Sequence, residues 1–269
     1  MVLGEPGAGK TITLLKLAES LLTRTFEDLS QPLPVVLNLS SWASKRKDID
    51  DWLAQELYDT YKVSKSLGKA WINEEQLILL LDGLDEVEPK YRNACVQALN
   101  KFFQAHGRTE IVVCSRIRDY EALSNKLSLR SAIYVQPLTS QQIDEYLEQT
   151  GESLVALRSI INQNSEIKAF ASSPLILSIM SLAYQSCDLE NFPQSATSEV
   201  FRQRLFDAYI KRMFQRRITN KHYRQEQATR WLIWLAQQMV QKSQTIFLID
   251  KLQSNCFQER QYLFRYRLL

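Results

Sequence analysis

Gly4-Glu5-Pro6-Gly7-Ala8-Gly9-Lys10-Thr11 carries the required residue at every fixed position of the pattern G-x-x-x-x-G-K-[ST]. Each residue type has a chemical use at that spacing. Glycines let the backbone curl until successive N–H groups converge on one anion, and a helix starting directly afterwards adds the positive end of its dipole. In such a loop Lys10 reaches the β- and γ-phosphates of a nucleotide. The Thr11 hydroxyl offers an oxygen ligand to Mg²⁺, which prefers oxygen and keeps several of its waters. Glu5, Pro6 and Ala8 lend their backbone to the same nucleotide-binding loop.

A second group is acidic. Leu77-Ile78-Leu79-Leu80-Leu81 runs into Asp82-Gly83-Leu84-Asp85-Glu86, an apolar stretch ending in three carboxylates within five residues. An acid at the carboxyl end of a buried strand can face a phosphate loop, so Asp82 is the expected outer partner of Mg²⁺. Either Asp85 or Glu86 is expected to orient the attacking water in phosphoryl transfer. Gathered negative charge is costly without a cation nearby, and Mg²⁺ supplies one. A third position is Arg116, after the apolar run Ile111–Cys114. Beyond the end of a strand its guanidinium reaches the γ-phosphate and distinguishes triphosphate from diphosphate. The alternative is an exposed loop arginine, and Arg118 is a rival for the same role.

These residues need a scaffold that brings strand ends together. The stub Met1–Leu3 reads as an opening strand cut short, and Leu14, Leu17, Ala18 and Leu21 recur at helical spacing over Lys10 to about Arg24. Strand character follows at Val35–Leu39, Leu77–Leu81, Ile111–Cys114 and Ile133–Val135. Helices are predicted between them around Ile49–Leu57 and Lys90–Gln104. This alternation predicts an α/β fold: a doubly wound, mostly parallel sheet of five strands over residues 1–137. Beyond Pro137 the pattern turns helical. Thr139-Ser140-Gln141-Gln142 is a capping box, and helices are predicted at Leu154–Asn162, Leu175–Tyr184, Glu199–Arg216 and Arg224–Lys242, with a strand-like Thr245–Ile249.

Composition narrows the function classes. With 269 residues, 45% hydrophobic and 23% charged, the chain reads as globular and large enough for more than one subdomain. No apolar run is long enough to span a bilayer and no charged-then-apolar leader opens the sequence, so a cytoplasmic location is expected. Cys95, Cys114, Cys187 and Cys256 show no CxxC pairing. With only His106 and His222 beside them, a zinc site lacks ligands at usable spacing. The net charge of +3 does not mark a nucleic-acid binder, although residues 199 to 230 hold nine Lys/Arg against three acids. That segment reads as a solvated helix face or as a phosphate-contacting surface.

The phosphate loop, Leu80-Leu81-Asp82-Gly83-Leu84-Asp85-Glu86 and Cys114-Ser115-Arg116 together resemble the NACHT family of STAND P-loop NTPases, bacterial and cyanobacterial members in particular. The family carries a small residue after the first acid and then a further acidic pair. Pro137-Leu138-Thr139 and the helix through Tyr146-Leu147 are similar to the segment that follows in such proteins. The resemblance implies a nucleotide-binding domain over 1–137, a helical domain over 138–190 and a winged-helix or helical domain over 191–269. It implies an ATP/ADP switch that hydrolyses ATP slowly with Mg²⁺ and self-associates as a homo-oligomer when ATP-bound, in signal transduction or antiphage defence. Pro174 matches a proline that packs on the adenine in the family, though Ser172 replaces the usual preceding glycine and a plain helix-start proline is the alternative. Effector and sensor domains are absent from the 269 residues, so the chain reads as a fragment. An AAA-like ATPase remodelling protein or DNA, and a nucleic-acid-binding winged-helix module, are the competing functions.

Overall fold

A computed structural model describes residues 1–45, 48–185, 198–216 and 224–241. The chain divides into two compact units, Met1–Ile218 and Thr219–Leu269.

The first unit opens on β1 (Val2–Gly4), the phosphate loop and α1 (Lys10–Glu27), followed by β2 (Leu33–Asn38). A short α2 (Trp42–Lys45), α3 (Ile49–Tyr61) and α4 (Lys65–Asn73) lead to β3 (Leu77–Asp82). Next come α5 (Pro89–Ala105), β4 (Glu110–Arg116), α6 (Ile117–Glu121) and β5 (Ile133–Val135). All pairings are parallel, in the order β2-β3-β4-β1-β5. The five predicted strands are therefore present, and the two whose ends carry most of the chemistry, β1 and β3, are both interior.

The sheet is covered on both faces, which is why β3 reads as an unbroken apolar run. Leu77, Leu79 and Leu81 face one side with Val35, Leu37 and Val113, packing on Trp52, Leu53 and Leu57 of α3 and Cys95, Leu99 and Phe102 of α5. Ile78 and Leu80 face the other side, with Val2, Cys114 and the α1 residues Leu14 and Ala18. Period-two alternation in one strand thus feeds two cores. Each fully buried leucine here contributes about 1.5–3 kcal/mol.

A third cluster lies outside the sheet. The capping box at Thr139 and Gln142 forms as the sequence predicts, starting α7 (Ser140–Gln149). Then come α8 (Val155–Gln163), α9 (Ser165–Ala171), α10 (Pro174–Ala183) and α11 (Ser198–Arg216). Ile143, Leu147, Leu157, Ile161, Leu177, Met180, Phe201 and Leu205 form their common core. Among the described residues no single helix is long and apolar enough to cross a membrane, although α9 and α10, bent by 109° at their junction, pass together by length and composition.

The second unit is described over α12 (Gln225–Gln241). The spacing of Trp231, Leu232, Leu235 and Met239 predicts core packing, yet Trp231 and Leu232 are exposed and no residue of this helix is buried. The strand-like Thr245–Ile249 and Cys187, His222 and Cys256 lie outside the described residues. Four helices have no counterpart in the predicted elements: the short α2 and α6, and α4 and α9. In α4, Gly68 looks like a breaker, but a Cβ there would lie 3.3 Å from Leu57 Cδ1, so the glycine serves close packing of α4 on α3. In α9, Asn164 supplies the cap, its Oδ1 accepting from the Glu166 and Ile167 amides.

Candidate nucleotide site

Parallel pairing aligns the carboxyl ends of neighbouring strands, and the register here is specific. Gly4 is the partner of Arg116 across β1 and β4 and of Val135 across β1 and β5; Asn38 is the partner of Asp82 across β2 and β3. The loop's first glycine, Asn38, Asp82 and Arg116 thus all stand at the carboxyl ends of their strands, on the side where open α/β folds place their ligands.

The loop leaves β1 at Gly4 and turns through Glu5, whose carbonyl accepts from Ala8 N–H at 3.1 Å. Gly7 and Gly9 take φ of 75° and 92°, a region that L side chains rarely occupy. Gly9 is also the N-cap of α1 and provides no side-chain cap; the first i→i−4 bond of the helix runs from Thr13 N–H to Gly9 O at 2.8 Å. The N–H groups of the first turn, Lys10 to Ile12, therefore have no intrahelical acceptor. A Cβ built on Gly9 meets nothing within 4 Å, so space lies open beside these donors. The Lys10 ammonium donates to the Gly4 and Glu5 carbonyls, both at 3.0 Å, which keeps the charge folded against the loop. Open amides, a positive helix end and an ammonium fit a polyphosphate.

Thr11 and Asp82 are brought together: the hydroxyl donates to Asp82 Oδ2 at 2.7 Å. This pair fits Mg²⁺ held by a hydroxyl, phosphate oxygens and water beside one carboxylate. Among the described residues no group of three or more His, Cys, Asp or Glu is arranged to hold a metal ion by itself. The donor set thus suits an ion arriving with phosphates.

The acidic triplet separates into distinct environments. Gly83, with φ 74°, turns the chain into a short 3₁₀ segment, Leu84–Glu86. Asp85 is buried and engaged with Arg116 twice: its Oδ1 accepts from the Arg116 backbone N–H at 3.0 Å, and its Oδ2 lies 2.9 Å from Arg116 Nε. Its negative charge is therefore balanced inside the protein, so the crowding of three acids does not by itself require a metal ion. Glu86 is half-buried, and its Oε2 accepts from Asn38 Nδ2 at 2.9 Å. Burial pushes the Glu86 carboxyl above the usual glutamate range and Asp85 and Asp82 add to the rise, while the Asn38 bond and Arg116 oppose it.

Pro174 approaches the loop through its neighbours. Leu175 N–H donates to Gly7 O at 3.3 Å and Ser173 Oγ donates to the same carbonyl at 3.5 Å. A Cβ on Gly7 would come within 2.9 Å of Leu175 Cβ. The N-terminus of α10 is thus seated against the turn that carries the phosphate-loop glycines.

The NACHT domain family model matches residues 1–153, more than half of the chain. The chain belongs to the NACHT family. This NACHT chain is accordingly a nucleotide-binding P-loop NTPase. No curated protein sequence matches it. Among solved structures it is similar to the Orc1 protein of Aeropyrum pernix in complex with DNA, at 14% identity and a TM-score of 0.47, covering 78% of this chain and 58% of that one. The NACHT chain thus spans less than two thirds of that protein's length.

Three contacts went unread in the sequence. Asn38 sits at the end of an ordinary strand, and its partner Glu86 is 48 positions away. Ser173 reads as a helix-start serine, yet its side chain points at Gly7. Arg92 reads as a surface charge early in α5, but its side chain is only 12% exposed. A stranded polar residue directly after an apolar run was the available signal for Asn38.

Proposed function

We propose that this chain is an ATP/ADP-binding switch with slow, Mg²⁺-dependent ATP hydrolysis, in which the nucleotide held by Gly4–Thr11 controls self-association. Residues 1–137 act as the nucleotide domain, 138–190 as the helical domain, and 191–269 as a winged-helix or helical domain. The observation that carries the reading is the pair of hydrogen bonds from Ser173 and Leu175 to Gly7 O, which makes a helical segment a direct neighbour of the phosphate loop.

The geometry supports a role for each residue. Amides of the loop and the first turn of α1 hold the β- and γ-phosphates, and the Lys10 ammonium moves from the Gly4 and Glu5 carbonyls onto them. Mg²⁺, when bound, neutralises charge on the phosphate oxygens; Thr11 is its hydroxyl ligand and Asp82 its outer carboxylate. Glu86, fixed by Asn38, orients the water whose oxygen bonds to the γ-phosphorus as the bond to the bridging oxygen breaks. Asp85 holds Arg116, and Arg116 contacts the γ-phosphate once it turns from that carboxylate. Pro174 lies where α10 meets the loop and faces the nucleotide. Arg202, Arg204 and Lys211 are exposed along α11 while Phe201 and Leu205 are buried, the pattern of an amphipathic helix with a basic outer face.

A ligand shifts a conformational equilibrium only through unequal affinity for the two forms. The test is the elution volume of the full-length protein with ADP and with a non-hydrolysable ATP analogue. A larger species with the analogue supports the switch, and identical monomeric profiles contradict it. By resemblance to the family, signal transduction or antiphage defence is the biological setting, read by infecting cells with and without the intact gene.

A further inference from the structure

Arg92 is the fourth residue of α5 and is nearly buried, yet all three of its guanidinium nitrogens are used. Nε donates to Val87 O at 3.1 Å, Nη2 to Asp85 O at 2.6 Å, and Nη1 to Asp119 Oδ1 at 2.8 Å. The two carbonyls belong to the residues on either side of Glu86. The segment's own main-chain bonds are few: Glu86 N–H to Gly83 O at 2.9 Å and Val87 N–H to Leu84 O at 3.3 Å. A short 3₁₀ turn has poor hydrogen-bond geometry and holds its shape weakly alone. The guanidinium supplies what the turn lacks.

The third contact reaches a different element. Asp119 lies in α6, which begins directly after Arg116, and Arg116 returns to Asp85 through its backbone and its side chain. A closed ring results: Asp85 carbonyl, Arg92, Asp119, the start of α6, Arg116, Asp85 carboxylate. The geometry points to Arg92 as a positioning residue for hydrolysis, acting through the Asp85 and Val87 carbonyls to fix Glu86 and through Asp119 to fix the segment bearing Arg116. This rests on the assignment of Glu86 as the group that orients water. A planar fork with donors in several directions is needed for these acceptors; lysine keeps the charge but has a single nitrogen. Displacements of about 1 Å in a reacting group cost on the order of 100-fold in rate, so a loosened turn shows in turnover before it shows in binding.

The test compares wild-type, Arg92→Lys, Asp119→Asn and Glu86→Gln full-length protein in three measurements: ATP hydrolysis, Mg²⁺–ATP affinity by calorimetry, and amide hydrogen exchange. Arg92→Lys is expected to lower kcat by about 10- to 100-fold while affinity stays within about twofold, because the phosphate loop is untouched. Exchange is expected to accelerate across residues 84 to 88 and to stay unchanged in α1. Asp119→Asn keeps an acceptor for Nη1 and should lose turnover in the same direction by less; it carries the test if Arg92→Lys does not fold. Wild-type kcat in both variants, or unchanged exchange over 84 to 88, overturns the proposal, as does a general rise in exchange with affinity and turnover lost together. Glu86→Gln at the wild-type rate removes the water-orienting assignment instead, and the exchange result then decides whether Arg92 holds the turn.

Discussion

Asp85 and Arg116 grip one another at two points, carboxylate to backbone N–H at 3.0 Å and carboxylate to guanidinium at 2.9 Å. The sequence leaves Asp85 and Glu86 as alternatives for orienting water, and this pairing supports the proposal that the role falls to Glu86. Both Asp85 oxygens are committed inside the protein, whereas Glu86 is tied at one oxygen, to Asn38.

Glu86→Gln should therefore suppress ATP hydrolysis at least about 100-fold with nucleotide affinity retained, while Asp85→Asn should mainly weaken the fold. Turnover, affinity and thermal unfolding measured on both variants decide the matter. If Asp85→Asn abolishes turnover with an unchanged melting temperature, the two roles are reversed. Because burial raises the Glu86 pKa, the folded state holds that proton more tightly than the unfolded chain. The stability so contributed is complete below the ordinary glutamate value and is lost as pH rises through the raised one. Glu86→Gln should thus raise the melting temperature at neutral pH, and the gain should vanish in acid.

Asn38→Ala removes a hydrogen bond that favours ionised Glu86, so the Glu86 pKa should climb further. If ionised Glu86 carries hydrolysis, the acidic limb of the pH–rate profile moves to higher pH in this variant. Turnover measured between about pH 5 and 8 reads the shift directly. A limb that stays in place, or moves toward acid, contradicts the coupling.

Gly7→Ala combines a left-handed backbone with a Cβ placed 2.9 Å from Leu175 Cβ. The backbone alone costs about 1–2 kcal/mol, and relief of the clash must move either the loop or α10. Nucleotide affinity should fall about tenfold or more, and proteolysis near residue 173 should quicken. Unchanged affinity and cleavage would show that Gly7 and α10 are not coupled.

Asp82→Ala deletes the acceptor of the Thr11 hydroxyl and, in this account, the outer carboxylate for Mg²⁺. Its affinity for ATP without metal should match wild type, while the enhancement given by Mg²⁺ should shrink. Titrations at several Mg²⁺ concentrations check this. Full enhancement in the variant would place the ion elsewhere.

The loop and the sheet were legible because their signals are local. Gly4 to Thr11 is one contiguous motif, the Leu77–Leu81 run declares a strand buried on both faces, and Thr139 with Gln142 caps its helix within four residues. What stayed hidden depends on distant partners. Asn38 gains its meaning from Glu86, Arg92 from Asp119, and Ser173 from Gly7, 166 positions away. The commitment of Asp85 to Arg116 is of the same kind, since the charge that balances it arrives on another strand. Gly68 in α4 is of the same kind: only the neighbouring helix shows that the missing side chain is a packing requirement.

On the proposed function, the amides between Gly4 and Thr11, with the Lys10 ammonium, hold a nucleotide's phosphates. Calorimetric titration of the full-length protein and of Lys10→Ala with ATP and ADP, with and without Mg²⁺, tests it most directly. Saturable binding of both nucleotides by the native chain, tighter for ATP when Mg²⁺ is present, is expected, with little or none by Lys10→Ala. Native affinity in the Lys10→Ala variant, or no binding of either nucleotide by the intact chain, would contradict it.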